Sequence, residues 1–166
     1  MPRTRPLFIG AVGLITSSLA EGRALYVDAM DLPLRQPEGH GFLHSTRLGG
    51  GRYFGVWPLS EAARSCFGTD RWPSDRPVPQ MFIEFEMANA ARVSSAASEL
   101  ESKGYTLLHR PRTDPWGQTV ARLQTDDGII VGISYVPWMH RHARAAVKRA
   151  RVPRRARSVP RARRQR

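Results

Sequence analysis

The stretch Thr113–Trp138, TDPWGQTVARLQTDDGIIVGISYVPW, decides the fold. Two β-rich runs, Gln118–Gln124 and Ile129–Val136, flank Asp126-Asp127-Gly128. Asp-Gly between two such runs signals a hairpin, because glycine supplies the positive φ that a tight turn needs. Pro115-Trp116-Gly117 leads into the hairpin and Pro137-Trp138 ends it, since proline has no N–H to give to a central ladder.

Working outward, the same half of the chain supplies a complete unit. Met81–Met87 reads as a strand, Asn89 as the cap of a helix over Ala90–Lys103, and Gly104 as its C-terminal stop. Val93, Ala97 and Leu100 give that helix an apolar face, and Tyr105–His109 reads as an edge strand. The first half repeats the plan. Phe8–Thr16 is a strand, and Ser18-Leu19-Ala20-Glu21 is a capping box opening a helix to about Met30, with Leu19, Tyr26 and Met30 near one face. Pro33 and Pro37 bracket a short edge strand, and Phe42–Arg47 and Arg52–Trp57 form a hairpin around Gly49-Gly50-Gly51. The punctuation superposes: Ser18 on Asn89, Gly51 on Gly128, Gly55 on Gly132. Residues 59–79, with Pro73, Pro77 and Pro79, read as the linker, with one helical turn near Glu61–Cys66.

The order strand, helix, strand, strand, strand occurs twice, over about residues 7–58 and 80–138. The closing stretch, with its Pro-Trp-Gly-Gln and Asp-Asp-Gly, resembles the end of the second module in the vicinal oxygen chelate superfamily, the glyoxalase and bleomycin-resistance-like proteins. The resemblance implies an α+β domain over residues 1–139, in which two βαβββ modules form a curved mixed sheet around a concave ligand pocket. It also implies a homodimer.

Charge and composition bound the class. The chain has 166 residues, enough for one domain with a core, and a formal charge of +12. The charge is local. Residues 140–166 hold 12 Lys or Arg and no acid, and subtracting these from 26 leaves 14, equal to the 14 Asp and Glu. The body is formally neutral, and the Arg-, Ala- and Pro-rich segment 140–166 is too poor in large apolar residues to build a core. It reads as a disordered tail able to hold nucleic acid through counterion release, without an aromatic residue for base stacking. One cysteine, Cys66, excludes an internal disulfide and favours a reducing, cytoplasmic setting. No apolar run reaches membrane-span length. Leu7–Ile15, behind Arg3 and Arg5, has the look of a short signal segment but is better used as the first strand.

The superfamily's metal enzymes hold a divalent ion with side chains from the first and last strand of each module. Carried over by position, those sites fall on Ala11, Gly55, Phe82 and Gly132, none of which has a donor atom in its side chain. The histidines form no replacement set, so no metal and no cofactor is assigned. Strand alternation then turns Phe82, Glu84 and Glu86 to the concave side, with Ile83, Phe85 and Met87 under the outer helix. Ala11, Gly13 and Ile15 join them from the first strand, and Ile130, Gly132 and Ser134 from the last.

Two inward glutamates need a partner, either Arg122, water or a cationic ligand. Trp57 and Trp116, with Tyr135 and Trp138, suit a stacking rim or, equally, ordinary core and dimer contacts. The candidate ligand-binding set is Phe82, Glu84, Glu86, Trp57, Trp116, Arg122 and Ser134, with no catalytic residue assigned. The leading reading is metal-independent binding of a small organic molecule, cationic or aromatic, as in drug or metabolite sequestration. Two alternatives stay open: a metal-dependent lyase, isomerase or dioxygenase of the same superfamily, and a nucleic-acid-associated protein acting through residues 140–166.

Overall fold

The computed structural model describes residues 5–140, so the basic segment beyond His140 lies outside the described residues. One seven-stranded sheet runs through it in the order β2-β3-β1-β4-β7-β6-β5. The strands are β1 (Phe8–Thr16), β2 (Leu43–Ser45), β3 (Tyr53–Pro58), β4 (Met81–Glu86), β5 (Leu107–Thr113), β6 (Thr119–Gln124) and β7 (Ile130–Tyr135). The helices are α1 (Leu19–Arg23), which passes into a π-helical turn over Ala24–Ala29, α2 (Leu59–Phe67) and α3 (Ala90–Ser102), and residues 137–140 are helical as well.

The two halves obey one plan. In each, the first strand lies parallel to the last: β1 beside β3 with Gly13 opposite Gly55, and β4 beside β7 with Glu84 opposite Gly132. The halves join through β1 and β4, antiparallel, with Ala11 opposite Glu84 and Gly13 opposite Phe82. The decisive hairpin forms as its chemistry requires. Gly128 takes φ 87°, and β6 and β7 pair from Thr119–Tyr135 to Gln124–Ile130. Both predicted caps are present: the Glu21 amide donates to Ser18 Oγ at 3.3 Å and the Arg92 amide to Asn89 Oδ1 at 3.0 Å. Gly104, at φ 90°, ends α3.

Several local expectations are corrected. The edge strand between Pro33 and Pro37 shrinks to one bridge, Arg35 to His44, because a proline at each end removes ladder donors. The first glycine turn uses Gly50, φ 86°, rather than Gly51. Met30 stays 54% exposed while Leu19 and Tyr26 pack on Leu34, Leu43 and Val56. Under α3, Met87, Val93, Ala97, Ala121 and Ile133 form the outer core, whereas Ile83 and Phe85 are only half-buried and lie outside that cluster.

The linker contains more than the single turn its prolines suggested. Its nine-residue helix α2 buries Ala62 and Cys66 against Ala11, Ile15, Phe82 and Ile130, the inward side chains of the sheet. The helix is amphipathic, with Ala62, Ala63 and Cys66 inward and Arg64 outward, and Gly68 in the left-handed region stops it. One end of the concave face is therefore filled by the linker, and what remains open lies beyond it. Among the described residues no helix is long and apolar enough to cross a membrane.

Candidate functional site

The open part of the concave face is a cavity of about 280 Å³. Its floor is Ala11, Phe82 and Glu84 from the central strands. One wall is aromatic and comes from the first half: Phe42, His44, Tyr53 and Trp57. The facing wall comes from the second half: Trp116, Gln118, Val136, Trp138 and Met139, with Ser65 of α2 at the closed end. The aromatic rings touch one another. Trp57 stacks on Phe82 with centroids 4.4 Å apart, His44 on Tyr53 at 5.3 Å, and Phe42 bridges His44 and Trp57 at 5.8 and 6.3 Å.

Glycine makes this floor possible. A Cβ at Gly13 would stand 2.1 Å from the Phe82 ring, and one at Gly132 would stand 2.7 Å from Glu84 Cγ. Phe82 and Glu84 thus lie flat across strands that have no side chain at the crossing point. At Gly132, one of the positions that a metal ligand would occupy in the superfamily's enzymes, the glycine here makes room for Glu84.

Glu84 is 5% exposed, and both its oxygens are engaged. Arg122 Nη2 donates to Oε1 at 2.7 Å, and Gln118 Nε2 donates to Oε2 at 2.7 Å and to Ser134 Oγ at 3.0 Å. The chain of bonds continues both ways. Trp116 Nε1 donates to Gln118 Oε1 at 3.0 Å at the rim, and Arg122 Nη1 donates to Ser65 Oγ at 2.9 Å on α2. Burial by itself would lower the Arg122 pKa, but Glu84, as charge and acceptor, and the nearby Cys66 and Asp114 outweigh it and the pKa is raised. The guanidinium stays charged, and its 5.8 Å approach to the Trp57 ring adds a cation–π contact.

The sequence candidates therefore divide. Phe82, Glu84, Trp57 and Trp116 line the cavity. Arg122, 1% exposed, and Ser134, 0% exposed, stand behind that lining and hold Glu84 and Gln118. Glu86, also 0% exposed, faces the same side of the sheet but lies under the segment that follows β7, where its Oε2 accepts from the Val136 amide at 2.8 Å. His140, counted with the tail in the sequence, packs against Glu86 Oε2 at 2.9 Å. Phe42, His44, Tyr53, Gln118 and Met139 line the cavity without having been singled out for it. For one of them a signal is present in the sequence: Tyr53 alternates with Gly55 and Trp57 along β3.

Titration within the site follows burial. Burial raises the Tyr53 phenol, with the Trp57 indole lowering it and Glu84 raising it, so Tyr53 is neutral at ordinary pH. Burial, then Arg35 and His40, lower His44. Cys66, behind the floor, is pushed up to about 11 by burial and is no nucleophile.

A divalent ion does not fit these residues. The four equivalent positions, Ala11, Gly55, Phe82 and Gly132, carry no donor, and both oxygens of Glu84 are already bonded to Arg122 and Gln118. Among the described residues, no group of three His, Cys, Asp or Glu side chains is placed to hold a metal.

The strand order, the parallel pairing within each half and the antiparallel joint give the chain the glyoxalase/bleomycin-resistance architecture of paired modules, βαβββ in the second half and with its edge strand reduced to one bridge in the first. No family model and no curated protein sequence matches the chain. Among solved structures, it is similar to a glyoxalase/bleomycin resistance protein/dioxygenase from Nocardioides, at 18% identity over 80% of this chain and 85% of that one, TM-score 0.34. A superfamily member from Vibrio splendidus 12B01 gives 12% identity over 78% and 100% of the two chains, TM-score 0.49. A Streptomyces coelicolor methylmalonyl-CoA epimerase variant in complex with 2-nitronate-propionyl-CoA gives 16% identity over 80% and 96%, TM-score 0.47. At these identities the likeness concerns backbone architecture and says nothing of ligand or reaction here.

Proposed function

We propose that the protein binds a small, planar, uncharged organic molecule in the concave cavity without a metal ion. One observation carries this reading: the carboxylate on the cavity floor, Glu84, is already neutralised by Arg122 and capped by Gln118 inside a wall of aromatic rings. A cationic ligand would find no free charge on the floor, whereas an aromatic one finds ring faces on both sides. The other acid at the cavity, Glu61, is paired with Arg64 at 2.8 Å. A volume of about 280 Å³ lies just under the usual range for drug-sized ligands, roughly 300–1,000 Å³, which favours one or two fused rings. Sequestration of a metabolite or drug in a reducing, cytoplasmic setting fits these features. Pairing of two copies is part of the proposal and is read directly from the mass in solution.

The test is a calorimetric and thermal-shift titration of the full chain with neutral and cationic bicyclic aromatics, in the presence of chelator. Neutral compounds should stabilise, by RT ln(1 + [L]/Kd), about 2.7 kcal/mol at a hundredfold excess over Kd. Stabilisation only by cations, or only by Mn, Fe, Ni or Zn and lost with chelator, would overturn the reading and return the metal-dependent enzyme to first place.

A second reading rests on the 12 Lys and Arg of residues 140–166, which no acid offsets. They favour sequence-tolerant binding to nucleic acid with steep salt dependence.

A further inference from the structure

Part of the facing wall of the cavity is made by the last described residues. Val136, Trp138 and Met139 line it, and Pro137 between them cannot continue the β7 ladder, so from here the chain leaves the sheet and residues 137–140 turn helical. Two anchors hold this short segment. On one side Glu86 Oε2 accepts both the Val136 amide at 2.8 Å and His140 Nε2 at 2.9 Å. On the other, Arg52 Nη1 donates to the Met139 carbonyl at 2.7 Å, its guanidinium 4.0 Å above the Phe8 ring. Phe8 and Tyr135 flank the His140 ring, with centroids at 5.2 and 4.9 Å.

The anchoring is unequal in one telling respect. Glu86 Oε2 has both partners, while Glu86 Oε1 is buried with none among the described residues. Met139 is 3% exposed, so the closed position is a packed one and not a loose end.

We infer that residues 136–140 form a strap across the cavity, and that Glu86, Arg52 and His140 are positioning residues that set how long a ligand is retained. None of the three lines the cavity: Glu86 and Arg52 bond to Val136 and Met139, which do, and His140 bonds to Glu86. The inference rests on the ligand-binding reading above, since a strap matters to function only if the cavity is occupied. It changes what Glu86 is for: a residue expected to meet the ligand holds the wall that confines it.

The experiment uses the full chain and two readouts. Hydrogen–deuterium exchange follows the amides of Val136, Trp138, Met139 and His140, and stopped-flow fluorescence follows release of N-phenylnaphthylamine, an uncharged aromatic probe. In the double variant Arg52→Ala, His140→Ala, strap exchange should quicken about tenfold with β4 and β7 unchanged, and probe release should quicken on the order of tenfold. Arg52→Lys with His140 intact should restore both. Glu86→Gln, which keeps an acceptor but loses the charge, should give an intermediate result. Unchanged strap exchange in the double variant would overturn the inference, as would faster exchange with unchanged release. Failure of the parent protein to bind the probe would count against the binding reading alone, and the exchange comparison would still decide whether the strap exists.

Discussion

Arg122 Nη2 and Glu84 Oε1 meet at 2.7 Å with side chains 1% and 7% exposed, and this pair is the electrostatic centre of the cavity floor. Removing one partner leaves a buried charge unpaired, which costs far more than the pair itself contributes. Arg122→Met should therefore lower stability by about 3–5 kcal/mol in urea denaturation. Adding Glu84→Gln to that variant should recover a large part of the loss. A single-variant loss below about 1 kcal/mol would mean that water reaches Glu84.

The glycine crossings give a sharp contrast. At Gly13 a methyl group would meet the Phe82 ring at 2.1 Å and the Gly55 carbonyl oxygen at 2.5 Å. The ring can turn aside into the cavity, but the backbone oxygen cannot. Gly13→Ala should destabilise by at least about 1–3 kcal/mol. Gly49→Ala, where a Cβ has nothing within 4 Å, should stay within about 0.5 kcal/mol by the same denaturation measurement.

Stability should fall at both ends of the pH scale. At the alkaline end, burial raises Cys66 to about 11, and burial likewise raises Tyr53. A raised folded-state value means that the unfolded thiol ionises first. The contribution is whole below the ordinary thiol value, about 8.5, and is lost as pH rises to about 11. Cys66→Ala should flatten that limb, and a thiol-reactive disulfide at pH 8 should modify Cys66 no faster than the chain unfolds.

At the acid end the sign reverses. Burial is the first cause lowering both His44 and His109, so the folded state resists their protonation. Their contribution is present above the ordinary histidine value, about 6.5, and is lost as pH falls through the lowered folded values. Thermal melts from pH 7.5 downward should show the fall, and His44→Gln with His109→Gln should reduce its slope.

Trp116 separates binding from folding. It is 60% exposed at the rim and, among the described residues, is tied back by one hydrogen bond, to Gln118. Trp116→Ala should change stability by less than about 0.5 kcal/mol. The same change should weaken an aromatic ligand by about 3- to 10-fold in calorimetric titration, the worth of one ring contact.

The end of the chain offers a further comparison by truncation. Ending the chain after His140 keeps every partner that Glu86 and Arg52 have among the described residues, and should leave the melting temperature unchanged; if the proposed salt-sensitive nucleic-acid binding is measured for the full chain, this truncation should remove it. Ending it after Tyr135 strips Glu86 of the Val136 and His140 bonds and should lower the melting temperature.

Much of this was legible in the residues because it is local. Asp127-Gly128 between two β-rich runs, Asn89 and Ser18 as caps, and Gly104 as a stop each act within a few residues, and all appear where the chemistry puts them. The repeated plan and its paired modules follow from that local punctuation. Alternation along β4 correctly turned Phe82, Glu84 and Glu86 away from the outer helix, since side-chain direction in a strand has a period of two.

What the sequence by itself determined is therefore the strand order apart from the edge strand at Arg35, the two capped helices and the inward side of β4. The tertiary structure alone decided which inward residues share a cavity. Pairing of Arg122 with Glu84 spans 38 residues, and that of His140 with Glu86 spans 54. The filling of one end of the cup by α2 depends on a linker whose prolines read as loop. Each of these is a contact between elements distant in the chain, made by packing and desolvation after the sheet has formed, and neither periodicity nor turn chemistry reports on it.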